Sequence, residues 1–310
     1  MDKQNFKEKF AKFHDKNYKI LLLIPLALLI FSVIYLTSFY MQHNDFFYKD
    51  ISLTGGTTIT INDENLNSLE LKEFLSSKLG DFNLRQISDL MTKKQIAIIV
   101  EIKNSECNEA EIQQTKTILE NYLKYSLIEG ENSTVECTGS TFSKDFYKQL
   151  GVAILIAFFL MSIVVFLQFK SFIPSLAVIY SAVADILMAL VVINIFKIPL
   201  STAGIVAFLM LIGYSVDTDI LLMNKVLKRE GKSINQMIWG SFKTGITMTL
   251  TSIVAVLAAL LIVSSFSSIL FQIFLIMLLG LLFDIVNTWI TNVSISKWYA
   301  LSKEKKKNEN

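Results

Sequence analysis

The chain has 310 residues, of which 52% are hydrophobic and 18% charged, with three prolines and two cysteines. That balance argues against an ordinary soluble enzyme. A formal net charge of +2 leaves no basic surplus for a nucleic-acid partner, and the absence of GxxxxGK[ST] and GxGxxG runs gives nucleotide binding no support.

Residues 1–19 form a basic tail with Lys3, Lys7, Lys9, Lys12, Lys16 and Lys19. The run ILLLIPLALLIFSVIYL follows, within residues 20–41. A signal-peptide core has only about 7–15 apolar residues, and the segment TSFYMQHNDFF offers no small-x-small cleavage site, so this stretch reads as an uncleaved anchor helix. A spanning helix needs about 20 mostly apolar residues. Five further stretches meet that need, near residues 150–168, 172–195, 198–224, 238–263 and 268–297. The loop after the fourth stretch holds Lys225, Lys228, Arg229 and Lys232. The C-terminal tail, residues 298–310, adds Lys303, Lys305, Lys306 and Lys307 just after Lys297. The other short loops are almost uncharged. Alternation across six spans puts all three basic regions on one side, expected to be the cytoplasm, with both termini there.

Residues 42–149, between the first two spans, are then expected outside the cytoplasm. DISLTGGTTITIND reads as a strand, SLELKEFLSSKLGDF as an amphipathic helix, and LRQISDLM and KQIAIIVEIK as two strands. NEAEIQQTKTILENYLKYSLI reads as a second helix capped by Asn108, with Glu111 three residues on, and STVECTGST as a last strand. The order β-α-β-β-α-β is the ferredoxin-like pattern. The pair Gly55-Gly56, before Thr57, marks a bulge or a close backbone approach. Cys107 and Cys137 both fall in this segment, where a disulfide is permitted. Two cysteines, with His14 and His43 distant in sequence, make no metal site. The predicted fold class is therefore an α-helical polytopic membrane protein of six transmembrane helices with one extracytoplasmic α+β domain. The bundle of the last five helices occupies residues 150–297.

The polar residues of that bundle carry the chemistry. Asp185 sits near the middle of the third span, with Ser181 one turn away. Asp217 and Asp219 lie on the fourth, and Asp284 on the sixth, beside Asn287, Thr288 and Thr291. Lys243, Thr247 and Thr251 form an i, i+4, i+8 stripe on the fifth span. Stripes of this kind face the bundle interior or a wet cavity, because lipid cannot satisfy them. Asp217 and Asp219 are about 200° apart around a helix, so only one of them can face Lys243, and the spacing does not say which. Burial disfavours a carboxylate's charge and a nearby cation favours it. An acid caught between those pulls can load and release a proton. Interhelical glue is the alternative, but polar contacts in membranes contribute only about 0.6–2 kcal/mol, and a surplus of acids over bases is poor glue.

These residues bear a family resemblance. GYSVDTDILLMNKVLKRE resembles the fourth-helix signature of the SecF family of protein-export membrane subunits, archaeal type, within the SecD/SecF group of the resistance-nodulation-division (RND) superfamily. TGGT at residues 54–57 is similar to the family's Gly-Gly-Thr motif after the first helix. FKTGITMTLTS and GLLFDIVNTWITN are similar to its fifth and sixth helices. The resemblance implies half of a twelve-helix unit, in heteromeric partnership with SecD in the cytoplasmic membrane. It implies assistance to the Sec channel in moving a translocating polypeptide, driven by proton-motive force with no cofactor beyond a proton or other ion gradient. Bacterial relatives carry an Asp in the fourth helix and an Arg in the fifth for proton handling. Here Asp217 and Asp219 bracket that acid's position, which is Thr218, and Lys243 replaces the Arg. Asp185 and Asp284 join them as candidate relay residues.

Two rival readings are weighed. An RND-type small-molecule or lipid exporter ordinarily has both halves in one chain, and only half is present. An intramembrane aspartyl protease using Asp185 and Asp217 would have suitable chemistry, but the GxGD signature is missing.

Overall fold

The computed structural model of the chain describes residues 20–89, 92, 94–103, 108–228, 233–264 and 267–309. The basic tail at 1–19 and Cys107, half of the permitted disulfide, lie outside the described residues. Among the described residues, six helices are long and apolar enough to cross a membrane. They are α1 (Leu23–His43), α5 (Ser140–Phe169), α6 (Phe172–Ile195), α7 (Thr202–Leu227), α8 (Ile234–Val263) and α9 (Ser268–Val286) with its continuation. That continuation is a π-helical stretch, Asn287–Asn292, followed by α10 (Val293–Glu309). Serines set the starts. Ser201 accepts from the Gly204 N–H, Ser267 accepts from the Leu270 N–H, and Ser233 forms a capping box with Gln236.

The segment between α1 and α5 folds as expected. Strands β1 (Gly56–Ile61), β2 (Phe82–Ser88), β3 (Gln95–Lys103) and β4 (Ser133–Thr138) make an antiparallel sheet in the order β2-β3-β1-β4. Helices α3 (Ser68–Ser76) and α4 (Glu109–Leu123) pack against it through Leu71, Leu75 and Leu119, over Ile59, Ile61, Ile98 and Val100. Asn108 caps α4 by accepting from the Ala110 N–H at 3.2 Å. The strand expected to begin at Asp50 begins later. Asp50 accepts from the Ile51 N–H at 2.8 Å and caps one helical turn, α2 (Ile51–Thr54). Gly55 leaves that turn at φ 78°, and a side chain on Gly56 would collide with the Ile102 carbonyl. The glycine pair therefore converts a capped turn into a tightly paired strand.

This domain is sewn to the bundle. Leu200, in the α6–α7 loop, donates to the Tyr48 carbonyl at 2.7 Å and accepts from the Asp50 N–H at 3.0 Å. The Thr202 N–H donates to Ser52 Oγ at 3.1 Å, and Asn194 donates to the Phe46 carbonyl at 2.7 Å. Arg85 of β2 pairs with Glu101 of β3 and lies 3.6 Å from Asp50. Leu53 sits in one apolar cluster with Ile193, Phe208, Leu211 and Ile276 of α6, α7 and α9. In the bundle, α6 and α7 are the most enclosed helices, while α1, α5 and α8 leave most of their apolar surface open.

Candidate functional site

The site is built where α6, α7 and α9 meet. Asp185, Asp219 and Asp284, one from each helix, are all fully buried. Each is placed by its helix's apolar periodicity, which turns the one acid on its inner face toward the other two helices. Around them lie Ser181, Ser215, Thr218, Asn287, Thr288 and Asn292, also fully buried. The π-helical stretch explains why so many come from one short segment. An i→i+5 register widens the turn and brings Asn287, Thr288, Thr291 and Asn292 inward together.

The contacts are specific. Ser215 Oγ donates to Asp185 Oδ2 at 2.6 Å, and Asn287 Nδ2 donates to Asp185 Oδ1 at 2.6 Å. Thr288 Oγ1 lies 2.7 Å from Asp219 Oδ1 and 3.1 Å from Asp284 Oδ1. Thr218 Oγ1 lies 2.9 Å from the Ser215 carbonyl and 3.2 Å from Asp284 Oδ2. Ser181 and Asn292 lie beside Asp219, while Asn287 Oδ1 and Thr291 Oγ1 are buried without a hydrogen-bond partner among the described residues. Among the described residues no cation pairs with any of the three acids, and no cluster of His, Cys, Asp and Glu fits a metal ion. The arrangement suits the storage and passage of protons between carboxyls, with hydroxyls as links.

Asp217 is placed differently. It sits on the exposed side of α7, as the 200° separation from Asp219 requires. Lys243, Thr247 and Thr251, expected to face the bundle interior, are exposed on α8. The correction has a simple cause. The inward face of α8 is built of small residues, Ser241, Gly245 and Thr249, with Gly245 seated against Trp289, so the stripe of Lys243, Thr247 and Thr251 is turned outward. Asp217 and Lys243 form no ion pair among the described residues, and neither does Asp219 with Lys243. Tyr214 bonds Ser252 of α8, and Lys225 donates to Thr244 Oγ1 of α8 at 3.2 Å; these ties flank Asp217 along α7. The structure thus brings Asp185, Asp219 and Asp284 together and leaves Asp217 and Lys243 on an outer face.

In the other domain, Gly55, Gly56 and Thr57 shape the start of β1, with Thr57 Oγ1 3.2 Å from Cys137 Sγ. The sequence reading passed over Thr218 and Asn292 as members of the cluster. Thr218 was legible as the position between the two acids, whereas Asn292 depends on the π register.

Comparison with known proteins follows this geometry. The family described as "Protein export membrane protein SecD/SecF, C-terminal" matches residues 118–302. A relative from Methanocaldococcus jannaschii, "Protein-export membrane protein SecF", is 37% identical over 94% of this chain and 99% of its own. One of the same name from Pyrococcus furiosus is 33% identical over 97% of each chain. The solved structure of SecDF from Thermus thermophilus, a translocon-associated membrane protein, covers 92% of this chain with a TM-score of 0.71 at 16% identity. This chain spans 38% of that one, and the likeness is one of fold.

Proposed function

The chain belongs to the SecD/SecF family of protein-export membrane proteins, and from that premise we propose that it is the SecF-type half of an export motor. In this reading it pairs with a SecD-type subunit and assists the Sec channel. It draws on proton-motive force to help a translocating polypeptide leave the membrane. Both termini lie in the cytoplasm and the α/β domain lies outside, which is the arrangement the lysine distribution favours.

One observation supports the energetic part most directly. Three fully buried carboxylates share a cluster with no basic partner among the described residues. A structural role alone would be met more cheaply by Ser or Thr. One charge crossing 100 mV supplies about 2.3 kcal/mol, enough to bias two arrangements of a domain. The ties from Leu200 and Thr202 to Tyr48, Asp50 and Ser52 give motion of α7 a mechanical route to the α/β domain.

The outer face supports the partnership. A charged side chain opposed to hydrocarbon costs roughly 2.5–3.5 kcal/mol. Asp217 and Lys243 escape that cost if the SecD-type half covers α7 and α8.

The test is export of a Sec substrate in energised membrane vesicles carrying Asp219→Asn with Asp284→Asn. Stimulation by the gradient is expected to vanish while the complex still assembles. Fully energised export by the double variant would refute the reading. Gradient-driven efflux of small molecules, without an export defect, would favour an exporter instead.

A further inference from the structure

The proton count of the buried cluster points to a residue with its own role. A threonine hydroxyl carries one proton and can donate once. Thr288 Oγ1 nevertheless lies within hydrogen-bond distance of two carboxylates, at 2.7 Å from Asp219 Oδ1 and 3.1 Å from Asp284 Oδ1. Two ionised acids cannot both accept from it. One of the two contacts needs a proton that belongs to the carboxyl.

A second hydroxyl reaches the same α9 acid. Thr218 Oγ1 sits 2.9 Å from the Ser215 carbonyl, which can only accept, and 3.2 Å from Asp284 Oδ2 and 3.3 Å from Asp284 Oδ1. Asp284 therefore has two hydroxyl neighbours, and of the two Thr288 is the one that also reaches Asp219.

We propose that Thr288 is the proton bridge between the α9 acid and the α7 acid. The transfer is reversible and is written from Asp284 to Asp219. The step balances within three groups. The Asp284 O–H bond breaks as its proton moves to Thr288 Oγ1, and the Thr288 O–H bond breaks as its proton moves to Asp219 Oδ1. Asp284 is left as the carboxylate, Asp219 becomes the acid, and Thr288 is restored. The remaining titratable group facing this path is Asp185 of α6, held by Ser215 and Asn287. Ser181 and Asn292, beside Asp219, are uncharged. The proposal rests on the ion-coupling reading above and adds the route.

The test uses the full chain with its membrane partner, reconstituted in sealed vesicles with a pH-sensitive dye inside. Under an imposed pH gradient, Thr288→Val is expected to lower proton flux by roughly 10²-fold, the scale of a lost proton-transfer group. Thr288→Ser, which keeps the hydroxyl, should retain the flux and its pH profile. Wild-type flux and pH profile in Thr288→Val would overturn the bridge, as would flux that follows a sodium gradient at fixed pH and ignores Thr288. A second measurement does not need the valine variant to fold. Infrared spectroscopy of the complex should show a protonated-carboxyl band that both Asp219→Asn and Asp284→Asn alter; a band indifferent to both would overturn the bridge. If Asp219→Asn and Asp284→Asn both leave flux and export intact, the relay reading itself fails. If they abolish flux while Thr288→Val does not, only the bridge fails.

Discussion

Asp217 and Asp219 are two residues apart on one helix and live in opposite worlds. Asp219 belongs to a network closed within this chain, where Asp185, Asp284 and their hydroxyl and amide partners are all buried. Asp217 opens outward, as Lys243 does on the next helix, and neither has an ion-pair partner among the described residues. A buried network of acids can only matter through protons or motion inside the chain. An exposed charge within a spanning helix has to be covered by something else. The family signature on α7 therefore carries two acids on two faces, one enclosed within the chain and one exposed.

The largest expected difference between the faces is in the stability of the isolated chain. Asp185→Leu leaves the Ser215 hydroxyl and the Asn287 amide without their acceptor in a dry core. Each orphaned group costs about 1–3 kcal/mol, so the total for the two is roughly 2–6 kcal/mol. Asp217→Leu removes an exposed charge with no partner and should change stability by under about 0.5 kcal/mol. Thermal unfolding of the purified chain in mild detergent compares them directly. Equal losses would mean that both faces are internal and that the division is wrong.

Association should invert that ranking, with a smaller span. Asp217→Leu and Lys243→Leu are expected to weaken recovery of the SecD-type partner about tenfold or more, the scale of truncating one member of a desolvated charge pair. Asp185→Leu should affect recovery only through the fraction unfolded. Co-purification in detergent, with each variant normalised to its folded fraction, reads the effect. Unchanged recovery in both outer-face variants would place the partner on another surface, such as α1 or α5.

Much of this was legible before the structure. The six spans follow from apolar length alone, and the β-α-β-β-α-β order of elements follows from alternation, turns and helical spacing. The 200° between the acids was legible too, but a rotation angle does not say which side has a neighbour. That depends on where α6 and α9 pack, which no single segment encodes. The stripe of Lys243, Thr247 and Thr251 misled for the same reason. Polarity on a spanning helix was read as facing inward, yet it can also face a chain that is not present. The π-helical stretch was invisible because the sequence NTWITN fits an ordinary α register, and only the packed structure shows Asn292 turned in beside Thr288. The turn at 51–54 was missed because Ile51 and Leu53 alternate like strand residues, while Asp50 and Gly55 act locally as cap and stop.

The smallest expected effect separates stability from function within the inner face itself. Thr291 is buried on the π-helical stretch and its hydroxyl has no hydrogen-bond partner. A buried unpaired hydroxyl is a cost, and replacing it with a methyl of the same shape removes that cost. Thr291→Val should therefore leave thermal stability unchanged or raise it by about 1 kcal/mol, the opposite sign from Asp185→Leu in the same bundle. If the hydroxyl also lies on the proton route, the same variant should lose gradient-driven export while gaining stability. A stability loss above about 1 kcal/mol would show instead that Thr291 is an ordinary bonded core residue. Residues kept in a core against their own stability cost are held there by what the site does, and this one substitution measures the two quantities on one side chain.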